Sequence, residues 1–147
     1  MTGKTADRDA VIAEYEYVTG SGKSRHVWRQ TVAVFPGGGR GLPEFTLAPE
    51  NFFHRIGQVF GYQDIDFEAS EDFSKHYLLR GADEGAIRRA FNADVIAWFA
   101  QNAGWSAQTS GGCVAIFRTD RWCKPEEVPS FLADALRIQD AFTRAQA

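Results

Sequence analysis

Two runs of alternating residues flank a short polar stretch near the start of the chain, and they constrain the fold more than any other feature. From Val11 to Thr19 the residues Val11, Ala13, Tyr15 and Tyr17 fall on one side, and Glu14 and Glu16 fall on the other. A period of two is the mark of a half-buried strand. A second β-rich run, Val27 to Phe35, follows after Ser21–Ser24. Folded back as an antiparallel hairpin, the two runs set Tyr17 against Trp28, Ala13 against Val32, Val11 against Val34 and Glu16 against Arg29. Aromatic pairs and opposite charges are the cross-strand partners that hold a hairpin. A slip of one residue would put Glu16 against Trp28, so the register is specified.

The remainder reads as further hairpins and helices. Pro36 to Pro43, "PGGGRGLP", is a flexible glycine-rich connector, and "EFTL" a short strand. "APENFFHRIGQVFG" has Pro49 near a first turn and Phe52, Phe53 and Ile56 at helical spacing, which predicts a short helix. "DIDFEAS" and "FSKHYLLRG" alternate like strands. From Ala82 to Gly104 one long helix is expected, capped by Asp83, striped by Ile87, Phe91, Val95 and Trp98, and stopped by Gly104. Trp105 to Arg118 is a second hairpin turning at Gly111-Gly112, and its apolar "CVAIF" reads as a central strand. A last helix, beginning near Pro129, carries Val128, Phe131, Leu132, Ala135, Leu136 and Phe142 on one face. The expected class is α+β: a mainly antiparallel sheet built from hairpins, covered on one face by two longer helices plus one short helix. Residues 1–9 are expected as a flexible N-terminal tail and 10–147 as a single globular domain.

Length and charge exclude several function classes. A chain of 147 residues buries roughly 68–70% of the surface exposed when unfolded, enough for a core without staples. The 12 Phe, 4 Trp and 4 Tyr argue against disorder. Net charge is −3, so the cationic footprint of nucleic-acid binding is missing. No run of 18 apolar residues offers a membrane span, and residues 1–10 contain no apolar leader core. Two cysteines, Cys113 and Cys123, suit a reducing compartment. The expectation is a soluble, cytoplasmic protein.

The motifs that suggest chemistry fail on spacing or context. Gly22-Lys23-Ser24 looks like the end of a phosphate loop, but the first glycine of that motif would fall on Tyr17. Such a loop must also open a helix, whose N-terminus holds the anion. Here a β-rich run follows, so nucleotide binding is not expected. Asp64, Asp66 and Glu68 alternate and would line one strand face, as hard cations require, but alternation is also ordinary for a solvated strand with Ile65 and Phe67 turned inward. His26, His54 and His76 lie apart, and the cysteines lack a short zinc spacing. If Arg118–Arg121 makes a tight turn, Cys123 falls opposite Ile116, which disfavours a disulfide with Cys113. No nucleophile elbow occurs. Trp122, between Arg121 and Lys124 and ahead of Pro125, is an aromatic flanked by cations, a type of residue that anchors partners.

One resemblance runs through Leu42 to Ile138. The stretch "LPEFTLAPENFFHRIGQVFGYQDIDFEASEDFSKHYLLRG" and the "CVAIFR" strand resemble a group of uncharacterised bacterial domains, a domain of unknown function. The residues carrying it are Pro43, Phe45, Pro49, Glu50, Asp64, Ile65, Asp66, Phe67, Phe73, Ser74, Tyr77 and Gly81. The resemblance implies one compact domain, sometimes set after membrane-spanning segments, and no catalytic residue.

The resulting expectation is a non-catalytic binding or protein-interaction module, without a cofactor. Its candidate surface is the basic cluster Lys23, Arg25, His26 and Arg29 together with Trp122, reaching a protein partner or a second copy of the chain. Two alternatives stand beside it: a metal-dependent enzyme using Asp64, Asp66 and Glu68, and a small-ligand carrier with an apolar pocket between sheet and helices.

Overall fold

A computed structural model of the chain describes residues 2–5, 8–49, 65, 71–118 and 121–145, with the backbone alone at 2–5, 8, 9, 15, 17 and 71. Among these residues the frame is one antiparallel sheet of seven strands: β1 (Thr2–Thr5), β2 (Arg8–Thr19), β3 (His26–Phe35), β4 (Thr46–Pro49), β5 (Tyr77–Arg80), β6 (Trp105–Ser110) and β7 (Cys113–Arg118). The spatial order is β1-β2-β3-β7-β6-β4-β5, with β7 central as its two-sided apolar sequence implies. The class is α+β. Every expected pair of the first hairpin is present, including Tyr17↔Trp28, Glu16↔Arg29, Ala13↔Val32 and Val11↔Val34. The second hairpin turns at Gly111-Gly112, closing on the Ser110↔Cys113 pair.

The N-terminus differs from the expected loose tail. Thr2–Thr5 form β1 and pair with Arg8–Val11, because an open strand edge there offers unpaired amides to any neighbouring chain. The glycine-rich connector is not loose either. It is a run of turns: the Gly38, Arg40 and Leu42 N–H groups donate to the Phe35, Gly37 and Gly39 carbonyls. Gly39 N–H donates to the Gly112 carbonyl at 2.9 Å, tying this loop to the second hairpin.

The helical layer covers the face formed by Ala33, Phe35, Leu47, Leu79, Ala107, Val114 and Ile116, all buried in one cluster. Ala10 and Ile12 join that cluster from β2. Thus the core takes the alternates of the face that the apolar residues Val11 and Ala13 suggest. Those two share the opposite, half-buried face with Val32 and Val34.

Among the described residues, four helices form the layer: α1 (Glu71–His76), α2 (Glu84–Ala90), α3 (Ala93–Gln101) and α4 (Val128–Ala145). The expected long helix is in fact two, α2 and α3, broken at Phe91-Asn92. Asp83 caps α2 by accepting from Ala86 N–H at 3.0 Å. Asn92 restarts the helix, its side chain accepting from Val95 N–H at 3.0 Å. A cap of this kind competes with continued helix, because a short polar side chain satisfies the orphan amides of a new N-terminus. The kink keeps Ile87, Phe91 and Val95 of the expected stripe buried, while Phe99 is buried in place of Trp98, which is half-buried. The segment Phe73–His76 also departs from expectation. It is the end of α1 and not a strand, and β5 begins at Tyr77. Phe73 and Tyr77, four residues apart, stack with centroids 5.3 Å apart, so the segment obeys helical rather than alternating spacing.

Helix α4 follows a 3-10 turn at Pro125–Glu127 and begins at Val128, as Pro129 requires. Its buried residues include Phe131, Ala135, Ile138 and Phe142. Phe142 meets Phe91 edge-on at 5.3 Å, Phe45 at 5.5 Å and Phe99 at 6.2 Å. Such pairs contribute about 0.5–1.5 kcal/mol each beyond their buried area. The short helix expected over "APENFFHRIGQVFG" lies outside the described residues, save that Pro49 closes β4 rather than opening a helix. No helix among the described residues is long and apolar enough to cross a membrane.

Candidate functional site

The strands β2 and β3 are longer than their neighbours, and that difference builds the candidate site. β1 pairs with β2 only as far as Val11, and β7 pairs with β3 only over Val32–Phe35. Beyond them, the pairs from Glu14↔Thr31 to Thr19↔His26 form a two-stranded arm. Its tip is a 3-10 turn over Gly22–Ser24. Gly20 enters it at φ +74°, and a Cβ there would run into the Ser24 carbonyl, so glycine is required. Ser24 hydroxyl donates to the Ser21 carbonyl at 2.8 Å and closes the turn. Gly22-Lys23-Ser24 therefore opens a strand, not a helix, and lacks the amide cradle of a phosphate loop.

Three of the four basic candidates cluster at this tip. Lys23, Arg25 and His26 are exposed. The His26 ring lies 4.0 Å from the Trp28 ring, and Trp28 indole N–H donates to the Thr19 hydroxyl at 2.7 Å. Arg29 is farther down the arm and pairs with Glu16 at 3.6 Å, both side chains exposed. Such a pair is worth about 0–1 kcal/mol and leaves the guanidinium available. Among the described residues, no carboxylate pairs with Lys23 or Arg25.

Trp122 is not part of the tip. It lies over the arm's base, 45% exposed, its indole N–H donating to Glu14 Oε1 at 2.7 Å. Glu14 and Thr19 are five residues apart in β2, so roughly 17 Å of strand separates Trp122 from the turn. The chain reaches this position because Thr31 N–H donates to the Arg121 carbonyl at 2.9 Å and Cys123 N–H to the Thr31 hydroxyl at 2.8 Å. Cys123 thus returns to β3, not to a place opposite Ile116 in β7, and both cysteines are free thiols.

The acidic candidates Asp64, Asp66 and Glu68 lie outside the described residues. Ile65 between them is 4% exposed, its N–H donating to the Leu79 carbonyl at 2.8 Å. No group of three His, Cys, Asp or Glu side chains that could hold a metal occurs among the described residues.

A cleft that no sequence motif announces lies between β7 and α4. Trp105 stacks on Phe131 at 5.4 Å and 18°, and the Arg118 guanidinium lies 5.7 Å over the Trp105 ring. A cavity of about 320 Å³ there has Arg118 and Arg121 on its strand side and Glu126, Glu127 and Asp134 on its helix side. Nearby, Tyr77 hydroxyl donates to the Asn102 carbonyl at 3.2 Å. Burial pushes its phenol up to about 12 from 10.0, outweighing backbone hydrogen bonds and the Arg118 charge, which act the other way. The neutral phenol is therefore a fixed structural group over the neutral pH range.

Comparison with known proteins gives no match to a family model, to a curated protein or to a solved structure.

Proposed function

We propose that the chain is a protein-interaction module that docks a partner through the β2–β3 arm. The single observation carrying this reading is the arm itself. A ribbon projects past both neighbouring strands, ends in Lys23, Arg25 and His26, and has the exposed Trp122 at its base. The four outer pairs, Glu16↔Arg29 to Thr19↔His26, bury little core, so the sequence of the arm is not explained by stability alone. Basic side chains on a projecting ribbon attract acidic partners and raise encounter rates. The free thiols Cys113 and Cys123 suit a reducing compartment, so we place the module in the cytoplasm, and in a bacterium, as the resemblance over Leu42–Ile138 implies.

A photo-crosslinking residue at Ser24, introduced in cells of the source organism, tests the reading. It is expected to give a discrete adduct that disappears in the Lys23→Glu/Arg25→Glu variant. Adducts unchanged by that charge reversal would refute it. A second reading, a small-ligand carrier, rests on the cleft beside Arg118. It predicts stabilisation by a compound bearing both charges, lost in Arg118→Gln, whereas an unchanged melting temperature across such compounds removes it.

A further inference from the structure

The backbone of β3 indicates how a partner would be held on the arm, and the inference rests on the docking role just proposed. The Thr31 N–H points away from β2, since it donates to the Arg121 carbonyl on the β7 side at 2.9 Å. Direction alternates along a strand, so Arg29 and Val27 turn their N–H and C=O groups to that same side. β7 pairing has already ended at Val32↔Phe117, and Arg121 and Cys123 both bond to Thr31 and to no residue of β3 nearer the turn. Among the described residues nothing pairs with this edge. Two donors and two acceptors are left in a row, bounded by the Gly22–Ser24 turn at one end and Arg121-Trp122 at the other.

We propose that this edge takes an extended acidic peptide as an added antiparallel strand. The side chains flanking the edge select the peptide. Arg25, Val27 and Arg29 have one parity and His26 and Trp28 the other. Glu16 and Val18, opposite Arg29 and Val27, share the first face. An added strand with carboxylates at alternate positions sets them beside Arg25 and Arg29, and sets apolar residues beside Trp28. A second copy fits less well. Two β3 edges brought together would oppose Arg25 and Arg29 with their own kind. A β3 edge against the β2 edge of another copy meets Glu14 and Glu16, but that pairing propagates without closing.

The test is fluorescence anisotropy with a labelled peptide alternating valine and glutamate, against its lysine counterpart. The glutamate peptide is expected to bind, more weakly as salt rises, and the lysine peptide not to bind. Methylating the peptide amides that face β3 should weaken binding about tenfold or more, without any change to the protein. Val27→Pro should do the same, because its N–H makes no bond to β2 and its removal spares the hairpin. Arg25→Glu should also lower affinity about tenfold. Equal binding of the methylated and parent peptides would overturn strand addition, as would equal binding by Val27→Pro. Absence of peptide binding would overturn it too, while a charge-dependent adduct at Ser24 would keep the docking role standing. Salt-sensitive self-association that the peptide does not displace would assign the edge to a second copy instead.

Discussion

Gly38→Ala is the substitution whose effect follows most directly from the packing of the glycine-rich loop. A Cβ on Gly38 would stand 2.9 Å from Gln139 Nε2 and 2.9 Å from the Phe35 Cβ, with Gln139 Cδ at 3.1 Å. Gln139 is 3% exposed, and its amide donates to the Gly38 carbonyl at 3.0 Å. The methyl must therefore displace a buried carboxamide and break its bond. Overpacking of this kind costs about 1–3 kcal/mol. The loss of chain freedom in the unfolded state returns about 0.4–1 kcal/mol. The net expectation is a destabilisation of about 1–1.5 kcal/mol, a fall in melting temperature of about 2–6 °C for a chain of this size. Urea denaturation of wild type, Gly38→Ala, Gln139→Ala and the double variant measures it. With the carboxamide gone only the Phe35 contact remains, so Gly38→Ala should cost about 1 kcal/mol less in the Gln139→Ala background. Equal costs in the two backgrounds would refute the argument that Gln139 is what the methyl meets.

Three further outcomes are expected. The Tyr77 phenol is more acidic in the unfolded chain, 10.0 against about 12, so the unfolded state loses its proton first. The stabilisation is complete below pH 10 and is lost as pH rises toward 12, by up to about 3 kcal/mol; alkaline denaturation series of wild type and Tyr77→Phe should diverge by that amount. Asn92→Ala removes the cap that restarts the helix at α3 and should cost about 1 kcal/mol by the same denaturation measurement. Phe142→Ala empties the centre of the aromatic cluster and should cost about 3–5 kcal/mol, with a fall in calorimetric melting temperature.

The parts of the fold legible in the sequence are those set by neighbouring residues. The hairpin register was legible because Tyr17, Glu16, Ala13 and Val11 each find a fitting partner in only one alignment. The helix after Pro125 was legible because proline restricts where regular helix can start. Other features depend on distant partners or compete with a local signal. Asn92 lies within a continuous apolar stripe, and periodicity hides a break that keeps the stripe in phase. Phe73–His76 alternates well enough to pass for a strand until Phe73 stacks on Tyr77. Val11 and Ala13 look like the core face of β2, yet Ala33 and Phe35 in β3 turn Ala10 and Ile12 toward the helices. Of the candidate site, Lys23, Arg25 and His26 were legible as a cluster because they are local. Trp122 was legible as an exposed aromatic, but its separation from the tip depends on the Thr31–Arg121 bond. The cleft of Arg118, Trp105 and Phe131 joins three separate elements, and no spacing in the sequence marks it.

The most direct measurement of the docking account is an amide chemical-shift titration of the isotope-labelled chain with the alternating valine–glutamate peptide. The account predicts changes concentrated from Lys23 to Arg29 and at Trp122, with the largest at the Val27 and Arg29 amides and none in α4. Shifts confined to the cleft around Arg118 and Phe131, with the arm unchanged, would contradict it.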